Sequence, residues 1–193
     1  GIAIGSGNDA SVAMAERIAG SEEAFVQKMN NKAKALGLKN TKFQNATGLP
    51  VDDHYSTAYD MAMMGKELLK YSSITKYTGK YESFLRENTE KKFWLVNTNR
   101  LVKFYPGVDG LKTGFTNEAK YCLTATAQKD NMRVIAVVFG AENPKVRNAQ
   151  VTKMLDYAFS QYTTHPVYKK NVELKKVMVS KGTEKTVAAV TSE

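Results

Sequence analysis

The chain has 193 residues, 42% hydrophobic, 24% charged and 10% aromatic, with 28 Lys and Arg against 19 Asp and Glu for a formal net charge of +9. That is the composition of an ordinary globular domain, long enough to bury a core. Its one cysteine, Cys122, excludes an internal disulfide, its two histidines argue against a zinc cluster, and no apolar run nears the ~20 residues that span a bilayer. No signal-peptide pattern is present, which fits a cytosolic protein or one whose processing signals have been removed. The charge favours polyanionic partners, and six lysines fall in the last 25 residues, offset there by Glu173, Glu184 and Glu193.

Asp9 to Ala19 has helical spacing, with Val12, Ala13, Ala15, Ile18 and Ala19 as the apolar face, Asn8 or Asp9 as the cap and Gly20 as the stop. Ser21 caps a second helix whose first turn carries Glu22 and Glu23. Phe25, Met29, Ala33 and Leu36 follow at helical spacing, and Gly37 terminates it. "TKFQNATGLPVDDHYS" reads as a loop. Thr57-x-x-Asp60 is a capping box for a third helix with Met61, Met64, Gly65 and Leu68 on its inner face.

Residues 80 to 105 suit irregular strands or hairpins. "GVDGLKTGF", "KYCLTATAQ" and "RVIAVVFGA" are three strands joined by the turns "TNEA" and "KDNM", an antiparallel meander with "VIAVVF" buried. Cys122 reads there as a small buried hydrophobe rather than a nucleophile. Residues 145 to 162 form a closing amphipathic helix with Val146, Met154, Leu155, Ala158 and Phe159 on its apolar side. After Thr163 the short alternating runs of "VELKKVMVSKGTEKTVAAVTSE" read as the first strands of a separate β domain that stops too early to close a core.

Two triplets stand out: Ser6-Gly7-Asn8 just before a helix, and Lys112-Thr113-Gly114 on a strand entering a sheet. A sheet edge lets an extended substrate pair with backbone. Each residue also has a plainer reading. Ser6 and Asn8 suit a helix cap, Lys112 a solvated edge strand, Gly114 a turn, and Arg147 an ion pair along its own helix.

The wider stretches "SGNDASVAMAE", "LGLKNTKFQNATGL", "YSTAYDMA" and "GVDGLKTGFT" closely resemble the low-molecular-weight penicillin-binding proteins of the serine D-alanyl-D-alanine carboxypeptidase family. The likeness runs from residue 1 to about 163. It implies an α/β (α+β) fold of the β-lactamase/transpeptidase type, an antiparallel sheet flanked by helices and incomplete at its N-terminus. Residues 1–163 would be the C-terminal portion of the catalytic domain, and 164–193 the start of a C-terminal β domain. It implies removal of the terminal D-alanine from cell-wall pentapeptides by acyl-enzyme chemistry, without metal or organic cofactor.

The resemblance assigns roles residue by residue. Ser6 passes a proton toward the departing amine, working with Lys112. Asn8 holds the substrate amide carbonyl and the activating lysine. Lys112 supplies positive potential for the substrate carboxylate, Thr113 bonds that carboxylate, and Gly114 lets substrate backbone approach. Phe115 follows where some relatives carry histidine, and Arg147 helps with the carboxylate. The implied partners are a peptidoglycan stem peptide ending in D-Ala-D-Ala, β-lactam antibiotics and an N-terminal segment of the same domain, with no nucleic acid. The implied setting is extracytoplasmic, membrane-associated at the bacterial cell wall. The family's nucleophile lies in a Ser-x-x-Lys motif upstream of Ser-x-Asn. The one match here, Ser73-x-x-Lys76, falls downstream of it at the end of the third helix, where Ser73 reads as a cap for a short following turn. A β-lactamase of the same superfamily and a non-catalytic basic module for an anionic polymer remain as alternatives.

Overall fold

In the computed structural model, which describes residues 1–192, the backbone packs as two units, Gly1–Tyr162 and Thr163 onward. The first begins with α1 (Ile2–Gly5), α2 (Asn8–Ala19) and α3 (Glu22–Ala35). The punctuation between α2 and α3 is local: Gly20 takes a left-handed φ of 88° that ends α2, and the Ser21 hydroxyl accepts from the Ala24 amide at 3.1 Å to start α3. The start of α2 differs from the sequence expectation. Ser6 sits in the left-handed region (φ 53°), so Gly7 becomes the cap and Asn8 the first helical residue, with no side chain capping the helix.

The loop after α3 closes through a Lys42–Tyr55 bridge, and α4 (Ala58–Leu68) follows. Half of the expected capping box forms. Thr57 Oγ1 accepts from the Asp60 amide, but the buried Asp60 carboxylate accepts from Asn40 N and Thr41 Oγ1, pinning the loop instead. Leu68 is exposed rather than inward, and the α4 contact is made by Gly65, where a Cβ would stand 3.2 Å from Leu111 Cδ1. Next come α5 (Thr75–Thr78), the hairpin of β1 (Glu82–Leu85) and β2 (Phe93–Val96), and the single turn α6 (Leu101–Phe104).

The meander forms as its strand runs and turns indicate, but of "VIAVVF" only Ala136 and Val138 are buried and Phe139, near the strand's end, is exposed. β3 (Val108–Thr116), β4 (Lys120–Lys129) and β5 (Met132–Ala141) pair antiparallel in the order β3-β4-β5. Helix α7 (Pro144–Gln161), capped by Asn143, lies on β4 and β5. Leu123, Ala125, Ala127, Val151 and Leu155, all fully buried, form the centre of this core. Val151 escaped the sequence reading, whereas Met154, assigned inward, is exposed because it lies off the stripe of Val151 and Leu155. Cys122 is half-buried, not buried, and its thiol faces the Ala119 carbonyl at 3.2 Å.

The second unit is a single hairpin, β6 (Glu173–Met178) paired with β7 (Thr186–Val190), whose side chains are nearly all exposed. Two strands cannot enclose a core.

Candidate functional site

The left-handed turn at Ser6 follows α1 directly, and α1 is seated by Leu95 of β2, whose Cδ2 would lie 2.9 Å from a Cβ placed on Gly5. The turn exposes both Ser6 and Asn8. Because Gly7 is the helix cap, the Asn8 amide is not spent on the backbone and makes no hydrogen bond among the described residues.

Across 106 positions of sequence, Lys112 Nζ donates to Ser6 Oγ at 2.5 Å and to its neighbour's carbonyl, Thr113 O, at 2.7 Å. Lys112 sits on β3, an edge strand of the three-stranded sheet, in register with Thr124 of β4. Burial lowers its pKa below the ordinary lysine value, and the nearby Arg147 charge lowers it further. The site thus holds its ammonium at a cost that an incoming anion relieves.

Arg147 lies in the first turns of α7 and is only 4% exposed. Its Nε and Nη2 donate to Asn148 Oδ1 at 3.1 and 3.0 Å. No carboxylate pairs with Arg147 or Lys112 among the described residues, so the ion pair that the plainer reading offered for Arg147 does not form. Two cations without a counter-ion, one of them buried, make a local positive potential suited to a carboxylate.

Thr113 Oγ1 is 2.5 Å from Thr98 Oγ1. Gly114 lies opposite Cys122, and a Cβ there would meet only Cys122 Cβ, at 3.9 Å, so the protein's own packing does not require glycine. Phe115 is 54% exposed and tilts against Tyr121 with ring centroids 4.4 Å apart. Of the sequence-assigned residues, Ser6, Lys112 and Thr113 are thus linked by contact, and Arg147 reaches Lys112 through its field. Asn8 and Phe115 stand exposed on the adjoining helix start and strand end. Thr98 was missed, and the only sequence signal for it was the unexplained Asn-Thr-Asn run after β2.

The Ser73-x-x-Lys76 match assembles nothing: Lys76 N bonds the Ser73 carbonyl as a turn, both residues are exposed, and their side chains share no hydrogen bond. Among the described residues no group of three or more His, Cys, Asp or Glu could hold a metal ion, and no helix is long and apolar enough to cross a membrane.

A family model described as D-alanyl-D-alanine carboxypeptidase matches residues 1–143. D-alanyl-D-alanine carboxypeptidase DacF of Bacillus subtilis is 74% identical over 193 residues, covering 100% of this chain and 50% of that protein. DacA of Escherichia coli is 40% identical over 169 residues, 85% of this chain and 40% of the relative. Penicillin-binding protein 5 of Haemophilus influenzae superposes with a TM-score of 0.82 at 34% identity, over 97% of this chain and 54% of that one. Penicillin-binding protein D2 of Listeria monocytogenes, solved in a cefotaxime-bound form, gives 0.73 at 34% identity, over 82% and 63%. The chain therefore spans about half the length of the curated relatives it matches.

Proposed function

Because the chain belongs to the D-alanyl-D-alanine carboxypeptidase family, we propose that it forms the carboxylate-capturing half of a serine acyl-transfer site. The observation that carries this is the 2.5 Å contact between Lys112 Nζ and Ser6 Oγ, which joins the two triplets. The substrate is a peptidoglycan stem peptide ending in D-Ala-D-Ala. Its terminal carboxylate sits against Lys112, Thr113 and Arg147, its backbone lies along β3 past Gly114 and Phe115, and Asn8 holds the amide carbonyl.

The nucleophile comes from residues outside these 193, in a Ser-x-x-Lys motif, and an intact enzyme comprises both parts. The nucleophile hydroxyl gives its proton to the lysine of that motif and attacks the penultimate carbonyl, and the bond to the terminal D-alanine nitrogen breaks as the ester forms. Ser6, accepting from the Lys112 ammonium, has its own proton free to pass to the departing D-alanine amine. Water then hydrolyses the ester. β-Lactams acylate the same nucleophile. The setting is extracytoplasmic, at the bacterial cell wall.

The test is D-alanine release from a D-Ala-D-Ala peptide beside nitrocefin hydrolysis, both by the intact enzyme. Faster peptide turnover supports the reading; faster nitrocefin turnover makes the protein a β-lactamase. Neither activity, with steeply salt-dependent polyanion binding, makes it a binding module. A covalent fluorescent-penicillin adduct on the 193 residues alone would falsify the external nucleophile.

A further inference from the structure

Thr98 lies between two of the most buried polar residues in the chain. Asn97 is 2% exposed and Asn99 1% exposed, while Thr98 itself is exposed. Asn97 Nδ2 donates to the Thr78 and Lys80 carbonyls, at 3.0 and 2.9 Å, and its Oδ1 accepts from Asn99 N at 2.9 Å. Asn99 Nδ2 donates to Gly110 O at 3.1 Å, and its Oδ1 accepts from Leu101 N at 3.2 Å. Thr78 Oγ1 in turn donates to Asp109 O at 2.8 Å. The asparagines therefore anchor the 97–99 backbone to α5 on one side and to the start of β3 on the other. Buried and satisfied amides of this kind fix geometry, since each broken bond leaves a dry polar atom. What they fix is the position of Thr98 Oγ1, 2.5 Å from Thr113 Oγ1.

A hydroxyl has one proton and two acceptor positions. Between the two threonines either hydroxyl can donate. A carboxylate only accepts, so its arrival selects one arrangement: Thr113 donates to the carboxylate and Thr98 donates to Thr113. Donation from Thr98 polarises the Thr113 hydroxyl and strengthens its outgoing bond. We propose that Thr98 is a positioning residue for carboxylate recognition, the second hydroxyl of a relay running Thr98, Thr113, substrate carboxylate, held in place by Asn97 and Asn99. The proposal rests on the carboxypeptidase reading and deepens it.

The experiment uses the intact enzyme with Thr98→Val, which keeps the shape and removes the hydroxyl, Thr98→Ser, which keeps the hydroxyl, and Thr98→Ala as a second deletion. Substrates are a peptide ending in D-Ala-D-Ala and its C-terminal amide; acylation by benzylpenicillin and by its methyl ester is measured in parallel. Thr98→Val and Thr98→Ala are expected to lower kcat/KM for the carboxylate peptide roughly 10-fold, the factor carried by one ordinary net hydrogen bond, mostly through KM. The amide peptide changes less than about 2-fold, and Thr98→Ser recovers most of the loss. Penicillin acylation falls likewise while the ester does not.

An unchanged carboxylate-to-amide ratio in both deletions overturns the relay, as does Thr98→Ser behaving like Thr98→Val. Wild-type enzyme that turns over the peptide while the Thr98 variants show no discrimination defect leaves the carboxypeptidase reading intact and removes only this proposal. Wild-type enzyme that ignores peptide but loses penicillin selectivity on Thr98→Val keeps the relay and removes the peptide reading. Wild type that reacts with neither overturns both.

Discussion

Arg147→Met separates the cost of the cation cluster from its use. The guanidinium is 4% exposed, has Asn148 Oδ1 as its hydrogen-bond partner and no carboxylate among the described residues, and shares its surroundings with the Lys112 charge. Replacing a buried, poorly compensated ion by an apolar side chain of similar volume stabilises by about 1–4 kcal/mol. The amide bonds to Asn148 offset part of that, so we expect about 1 kcal/mol, or a Tm rise of roughly 2–4 °C in the intact enzyme. On the proposed reading the same change removes one of the groups that face the substrate carboxylate. Truncating one member of a desolvated charge pair costs about 2–5 kcal/mol, and with Lys112 and Thr113 still present the low end applies. That is about a 30-fold loss in kcat/KM for the carboxylate peptide, with little change for its amide.

A pH shift accompanies it. Lys112 titrates below 10.5, first from burial and second from Arg147. Carboxylate capture is complete below that lowered pKa and fades as pH rises through it. Without Arg147 the second cause disappears, so the alkaline limb of kcat/KM moves upward, though burial keeps it below 10.5. Differential scanning calorimetry and paired peptide kinetics across pH report all three quantities. A variant that loses stability while keeping the wild-type carboxylate-to-amide ratio refutes the account, because Arg147 would then be structural.

Two further outcomes concern the scaffold. Leu155→Ala removes a fully buried side chain where α7 presses on the sheet beside Val151 and Leu123. We expect a loss of about 3 kcal/mol in thermal or urea unfolding, and a cost under 1 kcal/mol would mean that α7 collapses onto β4 and β5. Tyr105 is pushed up to about 12 by burial and by donating to Asp156 Oδ1 at 2.7 Å. The unfolded chain loses that proton near 10. Stability should therefore hold below pH 10 and fall as pH rises from 10 to 12, a slope that Tyr105→Phe removes. An unaltered slope in the variant assigns it to another group.

The parts of this fold that local chemistry decides were readable in the sequence. Ser21, Gly20 and Gly37 punctuate the second helix with their own hydroxyl and backbone freedom, and the three strand runs between Val108 and Ala141, split by the turns "TNEA" and "KDNM", need no partner to announce a meander. The misses share a cause in tertiary packing. Asn8 looked like a cap until the turn at Ser6 passed that position to Gly7. Asp60 looked like the second half of a capping box, but the loop at Asn40 and Thr41 offered its carboxylate better donors. Leu68 and Met154 are apolar residues that the fold had no inner surface left to cover. At the site, the separation of Ser6 from Lys112 was bridged by family likeness and not by any pattern in the residues. Thr98 stayed invisible because a threonine's partner across 15 positions leaves no periodic trace.

The edge of β3 is divided. Around Asp109 and Gly110 its carbonyls are taken by Thr78 and Asn99, whereas from Lys112 to Phe115 no backbone strand lies along it other than β4 among the described residues. A guest chain pairing beside Phe115 would meet already occupied backbone carbonyls two residues past the lysine. On the proposed reading a bound chain would pair along Lys112 to Phe115 and find the carbonyls beyond already taken, which favours recognition of a chain end over a chain middle.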